Sequence, residues 1–287
     1  MTPDQIASCA VAAMLIELSS SPKPGNVDRC HDFIDATFQQ FSVSAVSSYP
    51  VFKKAGAGEE RIGRLLLEAV ESRRAWNILG NTHFGSLTLM IPLAMAAGEC
   101  GGDLDRLQRT LARTLRDSSV EDAVHFYASF RLARARVTEV EEFSLKDPAS
   151  SERLRFRGLT LLELMALSKG HDLIAREWST EFERCFRLSI SIRRNVAAAG
   201  MNDGVVKTYL QALSAVPDSL VQAKFGPEKA EQVRVMAGLA LEDKTMAAVY
   251  ELDRRLLAED VNPGSTADLI AAALFIALLN GLRFWKT

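Results

Sequence analysis

Motifs that mark several well-known enzyme classes are missing from this sequence. Gly56-Ala57-Gly58 is not followed by Gly-Lys-Ser/Thr, so it does not form a P-loop. The chain has no Gly-x-Ser-x-Gly elbow, no Gly-x-Gly-x-x-Gly after a strand, and no His-Glu-x-x-His pair. The sequence therefore gives no support to a P-loop site, a dinucleotide-binding βαβ unit, a serine-elbow hydrolase or a zinc hydrolase.

Cysteine pairs, excess charge and long apolar runs are scarce as well. The four cysteines lie far apart without a Cys-x-x-Cys pair, which argues against structural zinc or a disulfide framework and favours a reducing compartment. A net charge of −2 gives no basic field for nucleic acid or an acidic membrane surface. The start of the chain lacks the basic residues of a signal peptide, and the longest apolar run, residues 269–279, is shorter than the roughly 20 residues of a membrane span. We expect a soluble, cytoplasmic protein without nucleic-acid or membrane partners.

Strand signals are also absent, and helical spacing dominates. Ile62, Leu65, Leu66 and Ala69, for example, follow the i, i+3, i+4, i+7 pattern of one buried helix face. We predict an all-α protein with a single domain of about ten helices spanning residues 1–287. The predicted helices are 3–18, 35–55 with a break at Tyr49-Pro50, 59–76, 87–97, 103–116, 120–136, 159–168, 181–199, 205–215, 228–258 and 267–282, and residues 143–157 are predicted as an irregular joint.

A polar, non-helical loop at residues 19–29 interrupts this helical series. Pro22 and Pro24 fix φ, and Gly25 allows a turn, so the segment cannot be helical. The loop and the residues just after it carry Lys23, Asp28, Arg29, His31, Asp32 and Asp35. Cations beside carboxylates suit a phosphate-plus-metal site, while an ordinary inter-helix linker is an equally open alternative.

Three further polar segments occur at residues 80–85, 200–204 and 262–268. We expect each to start a helix, where free N–H groups and the helix dipole favour anions. Capping alone is an alternative for each: Asn81 or Thr82, and Asn202 or Asp203, are good N-cap residues, and Ser265 with Asp268 resembles a capping box. Taken singly, capping is the favoured interpretation; the four dense segments together favour a binding site.

These segments, in this order, resemble the triphosphoribosyl-dephospho-CoA synthase family. The family's Pro-Lys-Pro-Gly-x-Val-Asp loop matches Pro22-Lys23-Pro24-Gly25-Asn26-Val27-Asp28, and its Asn-Thr-His-x-Gly segment matches Asn81-Thr82-His83-Phe84-Gly85. Its late Pro-Gly-Gly-Ser-Ala-Asp segment matches Pro263-Gly264-Ser265-Thr266-Ala267-Asp268 with one glycine replaced, and an Asp-Thr-Asn segment matches loosely around Asn202. The resemblance implies an all-α enzyme that moves a triphosphoribosyl group from ATP, with loss of adenine, to a ribose hydroxyl of dephospho-CoA.

The resemblance and the reaction together suggest a role for each residue. Displacing adenine needs a carboxylate near the developing oxocarbenium ion, a base for the acceptor hydroxyl and an acid for the leaving base, and the triphosphate needs cations and Mg²⁺. His83 or His31 would be the acid or base, acting with Asp28. The proposed nucleotide-binding residues are Lys23, Gly25, Arg29, Asn81, Thr82, Asn202, Gly264 and Ser265, and the proposed Mg²⁺ ligands are Asp28, Asp32 and Asp268, followed by Glu17 and Asp35.

One departure from the family pattern concerns the acceptor. Residues 126–134 lack the glycines of the family's Gly-x-x-Gly-Ala-Arg-Gly-Glu-Ala stretch, so the chain resembles a divergent branch found in methanogens and methylotrophs. A pterin-linked ribitol hydroxyl in tetrahydromethanopterin-type cofactor synthesis is therefore an alternative acceptor. A non-catalytic nucleotide-binding protein and a helical scaffold are further alternatives. The C-terminal helix with Phe284 and Trp285 could form a homodimer face, although a core position is favoured.

Overall fold

A computed structural model describes residues 1–33, 36–78, 81–101, 103–133, 149–243 and 246–283. Within these ranges the chain forms sixteen α-helices and one 3-10 helix, and its extended pairings are two isolated bridges, Asp28 to His31 and Phe33 to Ala36. The predicted all-α class is confirmed, whereas the predicted number of about ten helices is too low.

Most of the predicted helices overlap a helix of the structure, with ends that differ by a few residues. The helices are α1 Pro3–Ser19, α2 Phe38–Ser47, α3 Tyr49–Ala57, α4 Ile62–Arg74, α5 Phe84–Glu99, a 3-10 turn Leu104–Arg106, α6 Leu107–Arg116, α7 Val120–Ala133, α8 Ser150–Arg157, α9 Leu161–Ser168, α10 Leu173–Ser179, α11 Glu183–Ala199, α12 Met201–Ala215, α13 Ser219–Phe225, α14 Pro227–Glu242, α15 Ala247–Ala258 and α16 Gly264–Leu279. In the described ranges, none of these helices is both long and apolar enough to cross a membrane.

The additional helices are short helices that the sequence pattern did not predict and longer helices that had been predicted as one. Helices α10 and α13 have seven residues each, too few turns for a periodic pattern to stand out, and both start at an aspartate whose side chain caps them. Helix α8 lies in the predicted irregular joint, of which residues 143–148 are outside the described residues. The predicted helix 228–258 is two helices, α14 and α15.

The chain divides into two compact units, and the first comprises Met1–Ala12 and Val43–Glu183. Helix α4 packs on α7 so closely that a Cβ at Gly63 would lie 2.5 Å from the carbonyl oxygen of Asp122. The Asp122 carboxylate accepts the Gly63 N–H at 2.9 Å, which joins the two helices by a buried hydrogen bond. Buried Trp178 likewise donates to the carbonyl of Thr88 on α5.

The second unit comprises Ala13–Ser42 and Arg184–Thr287. Its core is α16, where every residue from Ser265 to Leu279 except Asp268 is buried. Helix α12 packs against both α14 and α16 and, through the Tyr209 hydroxyl, donates a hydrogen bond to the carbonyl of Pro24. The polar loop predicted as a binding site therefore lies on a rigid helical base. The single domain predicted for residues 1–287 stays a prediction.

Candidate functional site

The polar loop is fixed to α1 by a buried ion pair. Lys23 is completely buried, and its ammonium group is paired with the Glu17 carboxylate. The same ammonium donates to Asn26 Oδ1 at 3.2 Å. Burial raises the pKa of Glu17, while the charge and hydrogen bond of Lys23 act in the opposite direction. Lys23, predicted to bind phosphate, thus supports the loop from inside.

Gly25 lets the loop approach α15. Its φ of +72° is in the left-handed region, and an added Cβ would lie 2.7 Å from Leu256 Cβ. Its N–H donates to Asp253 Oδ1 at 2.9 Å. Asn26 Nδ2 donates to Asn262 Oδ1 at 2.8 Å, which ties the loop to the segment before α16. The close neighbours of Gly25, predicted to bind nucleotide, are therefore protein atoms.

The centre of the site is His31, held between two carboxylates. Asp28 is buried, and its Oδ1 accepts the backbone N–H groups of Cys30 at 2.8 Å and His31 at 3.1 Å. The ring nitrogen Nδ1 of His31 lies 3.2 Å from Asp28 Oδ1 and 3.5 Å from Asp253 Oδ2. Because both neighbours are acceptors, we place the proton on Nδ1, which leaves Nε2 with a lone pair.

Asp253 is the second of these carboxylates. Its environment favours the protonated, neutral form more than water does for an exposed aspartate. Burial raises the pKa of Asp253, and the charge of nearby Asp28 acts in the same direction. The Gly25 N–H and the His31 imidazole act in the opposite direction. Two carboxylates near one ring nitrogen of His31 can therefore hold a proton on Nδ1 and stabilise the charged ring.

Arg29 extends from the same loop at the surface and is held in place by Asn202. Its Nη1 donates to the carbonyl of Ser19 at 2.7 Å and to Asn202 Oδ1 at 2.9 Å. The amide of Asn202 also accepts from the N–H of Ser21 and donates to its carbonyl. Helix α12 begins at Met201 with Gly200 as its N-cap, so the prediction of Asn202 or Asp203 as N-cap is wrong. Asn202, predicted to orient ribose or base, orients the loop and Arg29.

The start of α16 is bound by a carboxylate of the protein itself. Asp218 Oδ2 accepts the backbone N–H of Thr266 at 2.7 Å and its hydroxyl at 2.8 Å. The N–H of Gly264 donates to the carbonyl of Asn262, and Ser265 shares a hydrogen bond with Ser219. The predicted phosphate site at this helix end is thus largely occupied by Asp218. The capping-box interpretation is wrong, because the helix starts at Gly264 and Ser265 lies inside its first turn.

The Asn81-Thr82-His83 segment belongs to the first unit. His83, with φ of 57°, is the N-cap of α5, so the predicted caps Asn81 and Thr82 are wrong. Its Nδ1 lies 3.3 Å from the hydroxyl of Ser44. Asn81 is exposed, while buried Thr82 accepts hydrogen bonds from buried Arg73, whose pKa is lowered to about 10 by burial. His83 and Thr82 therefore contact side chains of the first unit, Ser44 and Arg73.

Three of the five carboxylates predicted to bind Mg²⁺ are bound to other groups of the protein. No group of three or more His, Cys, Asp or Glu side chains in the described part of the chain could hold a metal ion. Glu17 is paired with Lys23, Asp28 is bound by N–H groups, and Asp32 accepts the N–H of Phe38 at the start of α2 at 2.5 Å. Asp35 lies outside the described residues, and Asp268 is half-buried on α16. The predicted Mg²⁺ site stays a prediction, and these bonds argue against a preformed cage.

An open pocket of about 550 Å³ lies beside His31 in the second unit. It is lined by Ser21, Arg29, Cys30, His31, Tyr250, Asp253, Arg254 and Leu257. Half of these residues belong to α15, where the sequence did not lead us to expect a site. One signal was present: Asp253 lies in the buried stripe of α15 with Val249, Leu252 and Leu256, and an acidic residue in such a stripe needs a partner.

Comparison with known proteins gives a consistent assignment. A family model described as ATP:dephospho-CoA triphosphoribosyl transferase matches residues 3–286. The chain is 27% identical to a protein of Pseudomonas syringae pv. tomato named as a 2-(5''-triphosphoribosyl)-3'-dephosphocoenzyme-A synthase, covering 95% of this chain and 90% of that one. A protein of the same name from Streptococcus equi subsp. zooepidemicus is 25% identical, covering 96% and 97%. A crystal structure from Archaeoglobus fulgidus, titled as a triphosphoribosyl-dephospho-CoA synthase, has a TM-score of 0.68 and 29% identity, covering 84% of this chain and 99% of that one.

Proposed function

Because the chain belongs to the ATP:dephospho-CoA triphosphoribosyl transferase family, we propose that the pocket beside His31 is where this transferase activates its acceptor. The predicted enzyme class, and ATP and dephospho-CoA as substrates, agree with that family. The observation that carries the proposal is the position of His31 between Asp28 and Asp253 at the wall of an open pocket.

The reaction exchanges one bond at the anomeric carbon of the ATP ribose. The bond from that carbon to adenine breaks, and the electron pair leaves with adenine, which takes up a proton. A ribose hydroxyl of dephospho-CoA attacks the same carbon and loses its proton. The proton lost by the acceptor balances the one gained by adenine, so the reaction needs a base on one side and an acid on the other.

His31 has the geometry of the base. The hydrogen bond to Asp28 fixes its ring and keeps the proton on Nδ1, so Nε2 can accept the proton of the acceptor hydroxyl. Asp253, whose Oδ2 lies 3.5 Å from the same Nδ1, stabilises the imidazolium that forms. Because the side chain of His31 is 34% exposed, the pocket gives a substrate access to it.

Arg29 has the geometry of a phosphate-binding residue. Both of its hydrogen bonds to the protein use Nη1, and among the described residues its Nε and Nη2 have no partner. A guanidinium that is already oriented loses little entropy when it binds a phosphate. Mg²⁺ is assigned to the substrate, as Mg-ATP, since magnesium is commonly bound through phosphates and water with few protein ligands.

The test is an assay of adenine release from ATP in the presence of dephospho-CoA. His31→Gln should lower kcat by about a hundredfold or more, the usual contribution of a general base. Asp28→Asn should also lower kcat, because an amide does not keep the proton on Nδ1. Thermal stabilisation by Mg-ATP should be retained in both variants. His125→Gln, on α7 of the first unit, is the matched control and should keep full activity.

The outcomes separate the alternatives that the sequence left open. Loss of activity in His83→Gln together with normal activity in His31→Gln would assign the base to His83 and overturn the proposal. Binding of Mg-ATP without adenine release under any condition would indicate a non-catalytic nucleotide-binding protein. Adenine release with a pterin-linked ribitol compound but not with dephospho-CoA would favour the alternative acceptor.

A further inference from the structure

One face of α15 contributes half of the residues that line the pocket. Tyr250, Asp253, Arg254 and Leu257 follow the i, i+3, i+4, i+7 spacing and therefore lie on the same side of this helix. They include an exposed aromatic ring, a cation and an apolar side chain. None of the polar segments that suggested a binding site in the sequence contains these residues.

Tyr250 and Arg254 are available to a ligand in different ways. Tyr250 is 58% exposed, so the face of its ring is open to a stacked base. Arg254 donates two hydrogen bonds to Glu251 one turn earlier through Nε and Nη2, but both side chains are more than half exposed, so water screens the pair. The pocket volume of about 550 Å³ is in the usual range for small-molecule sites.

We infer that this face of α15 binds the adenosine diphosphate end of dephospho-CoA, with adenine stacked on Tyr250 and the diphosphate at Arg254. The inference rests on the proposed function: if His31 accepts the proton of the acceptor hydroxyl, the ribose that carries this hydroxyl lies in the pocket. The base and the phosphates attached to that ribose then lie against the other residues that line the pocket. A heteroaromatic base on one side matches an exposed tyrosine, and phosphates on the other match a guanidinium.

ATP carries the same base and phosphates, so the assignment of this face to the acceptor rests on the acceptor ribose lying at His31. Tyrosine and arginine are side chains that give much binding free energy at such positions. Neither of them contacts the transferred group, so they should affect the binding of dephospho-CoA and leave the chemical step unchanged. This separates their role from that of His31.

The experiment is equilibrium binding of dephospho-CoA to the full chain without ATP, so that no turnover occurs. Tyr250→Ala should weaken dephospho-CoA and ADP by the same factor, about tenfold, while Tyr250→Phe should bind both normally, because only the ring is needed. Arg254→Gln should weaken both ligands by about tenfold. The affinity for pantetheine, which lacks the adenosine and both phosphates, should not change. Arg255→Gln is the control, since Arg255 is on the same helix but does not line the pocket.

Steady-state kinetics complete the test. Tyr250→Ala should raise the KM for dephospho-CoA and leave kcat and the KM for ATP within about twofold of the original protein. A higher KM for ATP with unchanged binding of dephospho-CoA would place the donor here and overturn the inference. Unchanged binding of every ligand in both variants would overturn it as well. If His31→Gln is inactive in that case, the proposed function remains and only the acceptor site is refuted.

Discussion

The buried pair of Lys23 and Glu17 makes a strong prediction about stability. Lys23→Met keeps the length of the side chain, so little cavity forms, but it leaves the Glu17 carboxylate, which is 4% exposed, without its cation. Removing one member of a buried ion pair costs about 3–5 kcal/mol. We expect a loss of this size in the free energy of unfolding near pH 7.

The pH dependence gives an independent check on the cause. Burial raises the pKa of Glu17 above its ordinary value of 4.5, and Lys23 is the main group that opposes this rise. Without Lys23 the folded state binds a proton on Glu17 more tightly than the unfolded state does. The stability of Lys23→Met should therefore be highest at low pH and should fall as the pH rises through the folded-state pKa, more steeply than in the original protein.

The assay is urea unfolding followed by circular dichroism between about pH 5 and pH 8. The matched control is Lys54→Met, because the Lys54 pair with Glu68 is 42% and 30% exposed and should cost at most about 1 kcal/mol. The double variant Lys23→Met with Glu17→Met should recover much of the loss, since no charge remains buried. Equal losses for Lys23→Met and Lys54→Met, or a loss independent of pH, would refute the assignment of Lys23 to a buried structural role.

Two further predictions concern the support of the polar loop and of α16. Gly25→Ala should lower the stability by about 1–2 kcal/mol because of its positive φ, and by about 1–3 kcal/mol more because the added Cβ overlaps neighbouring atoms. Gly58→Ala, at φ +67° in open space, should lose only the roughly 1–2 kcal/mol that comes from the positive φ. Equal melting temperatures of the two variants would contradict this. Asp218→Ala should cost about 3 kcal/mol or more by urea unfolding, because it removes the acceptor of three N–H groups at the starts of α13 and α16, two of which are buried. The control is Asp172→Ala, which removes only the cap of α10 and should cost about 1 kcal/mol. An equal loss for Asp218→Ala and Asp172→Ala would show that the bonds of Asp218 to α16 do not stabilise the fold.

The sequence indicated the helical class and the polar loop because both depend on local chemistry. Apolar residues at helical spacing predicted most of the long helices, including the buried α16, whose composition leaves no polar face. Pro22, Pro24 and Gly25 excluded helix in the loop whatever surrounds it. At these positions, backbone restrictions and apolar periodicity determine whether the chain is helical, and tertiary contacts stabilise the same structure.

The partners of these residues could not be predicted in the same way. Asp253 meets Gly25 and His31 from a position more than 200 residues away, and no local pattern gives that distance. Asp218 is a capping residue for α13, but only the folded chain shows that its second oxygen caps α16 as well. The cation of Lys23 was predicted to bind a ligand because a sequence does not show which charges are neutralised inside.

The position of Cys30 provides a built-in reporter of the pocket. Of the four cysteines, Cys30 is exposed, Cys9 is half-buried, and Cys100 and Cys185 are buried. Cys30 also lines the pocket next to His31, and its backbone N–H is held by Asp28. A thiol reagent of modest size will therefore modify this position first, and a bound ligand will slow the modification by covering it. The rate of alkylation thus measures occupancy of the pocket in the unaltered chain, without a substitution and without turnover.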